Sequence, residues 1–367
     1  MRILRLTIFI AILLLLAAVF AFVGELSDKA SAPYLYESNV SAGADSNGDI
    51  GSSAGGSQTV SPPPIGSGAS GASPAATDND AANGAPGSWD ANPPLGQSPP
   101  GGADPAPEQE YITVEIDEFY LHKGSLLLIN HDNRFEPPAY PDLVLISDFK
   151  TSSYRITDSK LRLSYSIMPH LNKMMDDFSS ETGSSAVTII SAYRDNDKQQ
   201  AILNEYIALV GAAEAGKWAS PPGYSEHHTG MAFDLGVYSG GSVKAFYGTG
   251  AYAWFKENAY KYGFILRYPP DKTDITRIAN EPWHYRYVGD VHAFIMKEND
   301  LCLEEYIGFI MDHPPEGSYK IEYGADTYEV FFTQSSEFSV PKGCEYTISG
   351  NNSDGYIITV KTELPIE

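Results

Sequence analysis

Hydrophobic and polar positions divide the chain into four textures. Residues 6–23 (LTIFIAILLLLAAVFAFV) form an unbroken apolar run behind Arg2 and Arg5. That run reaches the roughly 18-residue length of a membrane span and exceeds the roughly 7–15 residues of a signal-peptide core. Its length favours an uncleaved single-pass anchor over residues 1–24; removal as a signal, with a cut after Ala21, is the alternative. The positive flank sends the remaining chain out of the cytoplasm in either case. Residues 25–110 carry no hydrophobic period and are rich in Gly, Ser, Pro, Ala and Asp. Such a composition does not bury enough apolar surface to offset the entropy of ordering it, so a disordered linker is expected. A flexible coil of that length has a root-mean-square span of about 45–55 Å.

Periodic structure begins at Tyr111. ITVEIDEFYL and LLLIN read as strands, followed by a turn at NHDN and a Pro-rich bend at EPPAYPD. Apolar residues at Leu161, Tyr165, Met168, Leu171, Met175 and Phe178 predict a helix over 159–182, with Pro169 kinking it or delaying its start. A strand at 186–191, a helix at 196–214, a strand at 231–237 and a helix at 251–262 follow. Then come a strand at 283–289 and helical sequence at 290–311. KIEYG, YEVFFT, CEYTISG and YIITVKT make residues 318–367 a β-rich extension. Strands and helices mix without regular βαβ alternation, which predicts an α+β domain over 111–317.

Charge sharpens this division. The chain of 367 residues has a formal net charge of −23, and residues 25–110 hold 11 acids against one lysine. So acidic a protein is not a nucleic-acid binder, whose phosphate contacts need a basic face. Two cysteines, Cys302 and Cys344, exclude a disulfide-stapled scaffold and any four-cysteine zinc module. In an oxidising compartment they form one disulfide, or they pack as two buried thiols.

Chemistry concentrates in two places. In PPGYSEHHTGMAFDLG (221–236), His227 and His228 precede a strand that carries Asp234 among apolar residues. Alternation puts Asp234 with Ala232 on one face and Met231, Phe233 and Leu235 on the other. An acid there must be paired or must hold a metal. In EPWHYRYVG (281–289), His284 follows Glu281 by three residues. Two imidazoles and a carboxylate make a catalytic zinc set that leaves a fourth position open. A nearby non-ligand glutamate can then take a proton from the attacking water. Each element also has a plain structural reading: a histidine satisfied in a core, a strand aspartate bonded to backbone. Spacing alone does not choose between His227 and His228.

The ordered motifs resemble a known family. Ser225-x-His227-x-x-Gly230-x-Ala232-x-Asp234 and Glu281-x-Trp283-His284 are similar to the signatures of VanY-type zinc D-alanyl-D-alanine carboxypeptidases, of the lysostaphin/D-Ala-D-Ala/hedgehog metallopeptidase fold. Ser191-Ala192-Tyr193-Arg194 with Gln199, and KYGFILRYP at 261–269, fit the same pattern over about residues 120–295. Ala192 stands where glycine is more usual. The resemblance implies a small central antiparallel sheet flanked by helices. It further implies one zinc ion held by His227, Asp234 and His284, with Glu281 as catalytic base and Arg194 facing substrate carboxylate or oxyanion. Ser225, Gln199 and Trp283 would contact substrate, and the substrate would be the terminal D-Ala of peptidoglycan stem peptides on the outer face of a bacterial cell membrane. For Arg194 a structural salt bridge, and for Ser225 a turn-capping role, are the alternatives.

Competing readings make different demands on the sequence. Ser147-x-x-Lys150 satisfies the serine-peptidase motif S-x-x-K, but no K-T-G or S-D-N companion follows in order. A wall-binding module that lost catalysis would have lost ligands or base, and all four residues are present. An L,D-carboxypeptidase or a cross-bridge endopeptidase of the same fold differs only in pocket shape.

Overall fold

A computed structural model describes residues 109–135 and 142–362. Residues 1–24, expected as an anchor, all but the last two residues of the expected linker and most of the Pro-rich bend lie outside the described residues. The strands are β1 (Tyr111–Glu115), β2 (Leu143–Leu145), β3 (Arg155–Ile156), β4 (Arg162–Ser164), β5 (Val187–Ser191), β6 (Ala232–Ser239) and β7 (Ser242–Ala245). They continue as β8 (Phe264–Leu266), β9 (His284–Tyr287), β10 (Tyr319–Tyr323), β11 (Asp326–Thr333), β12 (Glu337–Pro341), β13 (Tyr346–Gly350) and β14 (Tyr356–Thr362). Helices of six residues or more are α1 (Met168–Thr182), α2 (Asn196–Val210), α3 (Ala253–Asn258), α4 (Asp290–Glu298) and α5 (Leu303–Met311).

The central sheet runs β3-β5-β6-β9-β8, with β7 also paired to β6. Its ladders are antiparallel except β3–β5, which is parallel. Phe233 and Leu235 of β6 share a cluster with Leu171, Met174, Met175 and Phe178 of α1 and with Phe255 of α3, all of them fully buried. Phe178 stacks against Tyr252 and meets Phe255 at a centroid distance of 4.7 Å. This packing fixes one face of β6 and leaves Asp234, on the other face, to carry chemistry.

A second sheet, β10-β11-β14-β13, is antiparallel throughout. Val330, Phe332 and Ile357 of this sheet share a core with Ile295 and Met296 of α4 and with Leu303, Ile307 and Ile310 of α5. Buried His292 is hydrogen-bonded through Nδ1 to Tyr306 Oη at 2.6 Å and through Nε2 to Thr359 Oγ1 at 3.1 Å, tying α4, α5 and β14 together. The tail therefore packs on α4 and α5. One further pairing has no signal in the hydrophobic pattern: β12 runs antiparallel to β1, with Tyr111 opposite Pro341.

Several elements differ from the sequence expectations, each for a local reason. The α1 helix begins at Met168 and not 159, because Pro169 is tolerated only in a first turn. Arg162–Ser164 ahead of it is a strand, and Tyr165 is exposed. The 196–214 helix is interrupted at Gly211, whose φ is +86°. The 251–262 segment is one short α-helix between 3₁₀ turns, closed by Gly263 at φ +78°. Helical sequence at 290–311 is two helices, divided where Asp300 takes φ +52°. LLLIN is not a strand: Leu126, Leu127 and Ile129 are buried, but Leu126 N–H bonds Ser349 Oγ and Leu128 N–H bonds the Asn351 carbonyl, with no continuous ladder. The end of ITVEIDEFYL is a 3₁₀ turn capped by Asp117. Cys302 and Cys344 are not joined to each other: Cys302 caps α5, whereas Cys344 packs against the cluster that holds Ile358.

Candidate active site

Strands β5, β6 and β9 and the turns beside them converge on one small cavity of about 80 Å³. Antiparallel register sets the first contact, since Asp234 on β6 lies directly opposite His284 on β9. Asp234 also faces Ser191 at the end of β5, just past a bulge in the ladder. His227 arrives from the 3₁₀ turn Glu226–Thr229, which Gly230 closes at φ +69° before the chain enters β6. A side chain at Gly230 would be strained at that φ and would collide with Leu143, so glycine is required there.

His227, Asp234 and His284 are all buried, and one ligand atom from each lies within 4.8 Å of the others. The ring nitrogens are sorted by their second partners. His227 donates from Nδ1 to the Ala192 carbonyl at 2.6 Å, which leaves Nε2 facing Asp234 Oδ2 at 3.4 Å. His284 does the reverse. Its Nδ1 lies 3.1 Å from Asp234 Oδ1 and 3.6 Å from Glu281 Oε2, while Nε2 lies 3.5 Å from Glu226 Oε2. The bare nitrogen of His227, a carboxylate and Nδ1 of His284 thus face a common point, the donor set of a three-residue zinc site with an open position. His228 is turned elsewhere: Nδ1 donates to the Arg194 carbonyl at 2.6 Å and Nε2 accepts from Gly223 N–H at 3.0 Å. Both its nitrogens hold loops together, so the turn itself separates the two adjacent histidines.

Arg194 follows β5 and lines the same cavity. It ion-pairs with Asp234, donates from Nε to Ser191 Oγ at 2.8 Å and from Nη1 to Gln199 Oε1 at 3.3 Å. Gln199 is buried in α2 and donates its Nε2 to the Ser220 carbonyl at 2.7 Å, so it braces the guanidinium against the opposite loop. The cap that starts α2 one residue after Arg194, Asp195 accepting from Lys198 N–H, fixes where Gln199 falls. Ser225 and Trp283 are buried wall residues of the cavity.

Electrostatics follow from burial and close charges. Burial opposes charge on Asp234, but His227 and Arg194 outweigh it and hold the carboxyl well below the usual carboxylate range. Burial pushes Glu281 up to about 8, helped by the Asp234 charge and only partly offset by His284 and Arg194. Burial, with the Arg194 charge, lowers His227 to about 4, a neutral imidazole suited to ligation. For His284, burial is overcome by Asp234 and Glu226, which raise it to about 9. The carboxylates that favour an imidazolium would equally favour a metal cation beside Nδ1, and such a cation would bring Glu281 back toward its charged form.

Comparison with known proteins identifies relatives of this chain. Residues 160–290 match the family model VanY, D-alanyl-D-alanine carboxypeptidase. A D-alanyl-D-alanine carboxypeptidase of Enterococcus faecium is 38% identical over 251 residues, covering 67% of this chain and 78% of the relative. A D-alanyl-D-alanine carboxypeptidase of Enterococcus faecalis is 35% identical over 213 residues, covering 55% of this chain and 72% of that one. The chain belongs to the VanY D-alanyl-D-alanine carboxypeptidase family. Among solved structures, the vancomycin-resistance D,D-dipeptidase VanXYg in complex with a D-Ala-D-Ala phosphinate analogue is similar at a TM-score of 0.62 and 30% identity, over 69% of this chain and all of that one.

Relative to the VanY motifs, the structure adds residues that sequence reasoning did not assign. Tyr268 lies in the KYGFILRYP segment, lines the cavity, and its ring is 4.9 Å from that of His284. Burial keeps its phenol protonated and available as a donor. Tyr206 and Trp218, stacked 6.5 Å apart, form an aromatic wall of the same cavity. In the sequence, Tyr206 is only one apolar position of a helix. The S-x-x-K serine, Ser147, is exposed and bonds Asp148 and the Ser159 carbonyl, and it is not a cavity residue.

Proposed function

We propose that this chain is a one-zinc D-alanyl-D-alanine carboxypeptidase that removes the terminal D-Ala of peptidoglycan stem peptides. The observation that carries the reading is the convergence of His227 Nε2, Asp234 and His284 Nδ1 beside the Glu281 carboxyl in one buried cavity. His227, Asp234 and His284 would hold the ion. When bound, zinc lowers the pKa of water toward neutrality and polarises the scissile carbonyl.

The remaining steps belong to side chains. Glu281 takes a proton from the attacking water as its oxygen bonds to the carbonyl carbon of the penultimate D-Ala. Arg194 faces the substrate from the Asp234 side and supplies charge-assisted donors to its carboxylate or to the developing oxyanion. The C–N bond then breaks, and the proton on Glu281 passes to the leaving D-Ala nitrogen. Ser225 contributes to binding the terminal carboxylate, and Trp283 walls the pocket.

The test is product identity by mass, with purified protein, zinc and stem peptides. D-Ala released from pentapeptide, with tetrapeptide left intact, is the expected outcome. Cleavage of tetrapeptide alone would assign L,D-specificity instead, and cleavage of neither would return the chain to a binding role.

The enzyme would work outside the cell, tethered to the cytoplasmic membrane by residues 1–24 through the acidic linker. Among the described residues no helix is long and apolar enough to cross a membrane, and residues 1–24 lie outside them. The apolar run at 6–23 supports the anchor. Cell fractionation checks it: the full chain should sediment with membranes and a chain lacking residues 1–24 should not.

A further inference from the structure

Behind His284, on the side away from the cavity, lies a charge cluster, fully buried except for the partly exposed Glu304, that the mechanism does not use. Glu226 sits between Ser225 and His227, yet its side chain is completely enclosed. Its Oε1 accepts from Arg267 Nε at 2.7 Å and pairs with Arg286 Nη1 at 3.0 Å. Arg267 in turn makes a two-pronged contact with Glu304, at 2.8 and 2.7 Å. Arg286 also donates to the carbonyls of Tyr287, Ser125 and Leu127. Two carboxylates and two guanidiniums balance, with both arginine side chains fully buried.

Burying three of these four charges completely is expensive, and well-packed apolar residues would commonly hold a fold at least as well. The cluster therefore suggests a task. One oxygen is left over: Glu226 Oε2 has no hydrogen-bond partner within normal reach and lies 3.5 Å from His284 Nε2, which likewise has none. These two unsatisfied buried atoms face each other across the imidazole from Nδ1, the nitrogen that looks into the cavity. A metal-ligating histidine needs its outer N–H accepted, because that bond selects the tautomer and fixes the ring.

We propose that Glu226 is a positioning residue for the metal centre: it accepts the Nε2 proton of His284 and so presents Nδ1 to the ion, while Arg267 and Arg286 aim its carboxylate. The inference rests on the reading of His284 as a ligand. It explains why an acid is fully enclosed in the turn between Ser225 and His227. One turn then serves both ligands, offering His227 directly and orienting His284 from behind.

The experiment compares zinc affinity, by chelator competition, in wild type, Glu226→Gln, Glu304→Gln and His284→Ala, with thermal denaturation of each metal-free protein alongside. Glu226→Gln should bind zinc about 10–100-fold more weakly. Glu304→Gln breaks the same buried network without touching His284, so it should lower the melting temperature yet leave zinc affinity within about twofold of wild type. Equal zinc affinity in Glu226→Gln and Glu304→Gln would overturn the positioning role. His284→Ala separates the two layers: loss of zinc keeps the ligand reading, and retention of zinc removes it and the inference together. Should Glu226→Gln fail to fold, nitrogen-15 spectra of wild-type zinc protein decide. A proton on His284 Nε2 supports the inference, and a proton on Nδ1 contradicts it.

Discussion

Replacing Glu281 with Gln is expected to leave zinc bound at wild-type stoichiometry and to lower kcat by about 10²–10⁴-fold, the range supplied by a positioned general acid–base. Glu281 is buried and its nearer oxygen lies 3.6 Å from His284 Nδ1, close enough to share the reacting centre but beyond direct bonding to the imidazole. Its backbone is set independently of the metal, by N–H donation to the Tyr268 carbonyl and by acceptance from His284 N–H. A neutral amide of the same shape preserves that scaffold and removes only the group that moves the proton. KM should change much less than kcat, since Arg194 and Ser225, and not Glu281, are assigned the ground-state contacts. D-Ala release assays and metal analysis on the same preparation check both halves. A variant that keeps normal turnover would take the role of base away from Glu281.

The adjacent histidines should part company on substitution. His227→Ala is expected to lose zinc and all detectable turnover, because it deletes one of three ligand atoms. His228→Ala should keep zinc at one ion per chain. It loses instead the bonds to the Arg194 carbonyl and from Gly223 N–H, both at a largely enclosed site, which predicts a stability loss of about 1–3 kcal/mol. Metal content and denaturation curves distinguish the outcomes, with circular dichroism showing that each variant is folded. Zinc lost from His228→Ala and kept in His227→Ala would reverse the ligand choice.

How much of this was legible in the sequence depended on whether a residue's partner was local. An aspartate inside the apolar strand AFDLGV, and a glutamate three residues before a histidine, are odd enough to read directly. Their neighbourhood is not, because it arises from the β6–β9 register, 50 residues apart for Asp234 and His284. The family motif points to His227 over His228, and the 3₁₀ turn hands both ring nitrogens of His228 to backbone partners. Glu226, Arg267 and Arg286 carry no comparable signal, since a charge in a turn or beside aromatics is ordinary at the surface. Their burial follows from one another, over separations of 41 and 37 residues for the two Arg267 pairs. Among elements, three helices differ from their apolar period because of single backbone residues, Pro169, Gly211 and Asp300. The β12 strand went unread because EFSVP ends in proline and finds its partner only at β1.

If one zinc in this cavity makes the chain a D-Ala-releasing enzyme, activity must follow the metal. Zinc is added stepwise to chelator-stripped protein, and D-Ala release from stem pentapeptide is followed. Release should be absent without metal, rise in proportion to added zinc and level off at one ion per chain. Full release by the stripped protein, or none at any zinc concentration, would rule out a zinc-dependent D-Ala carboxypeptidase.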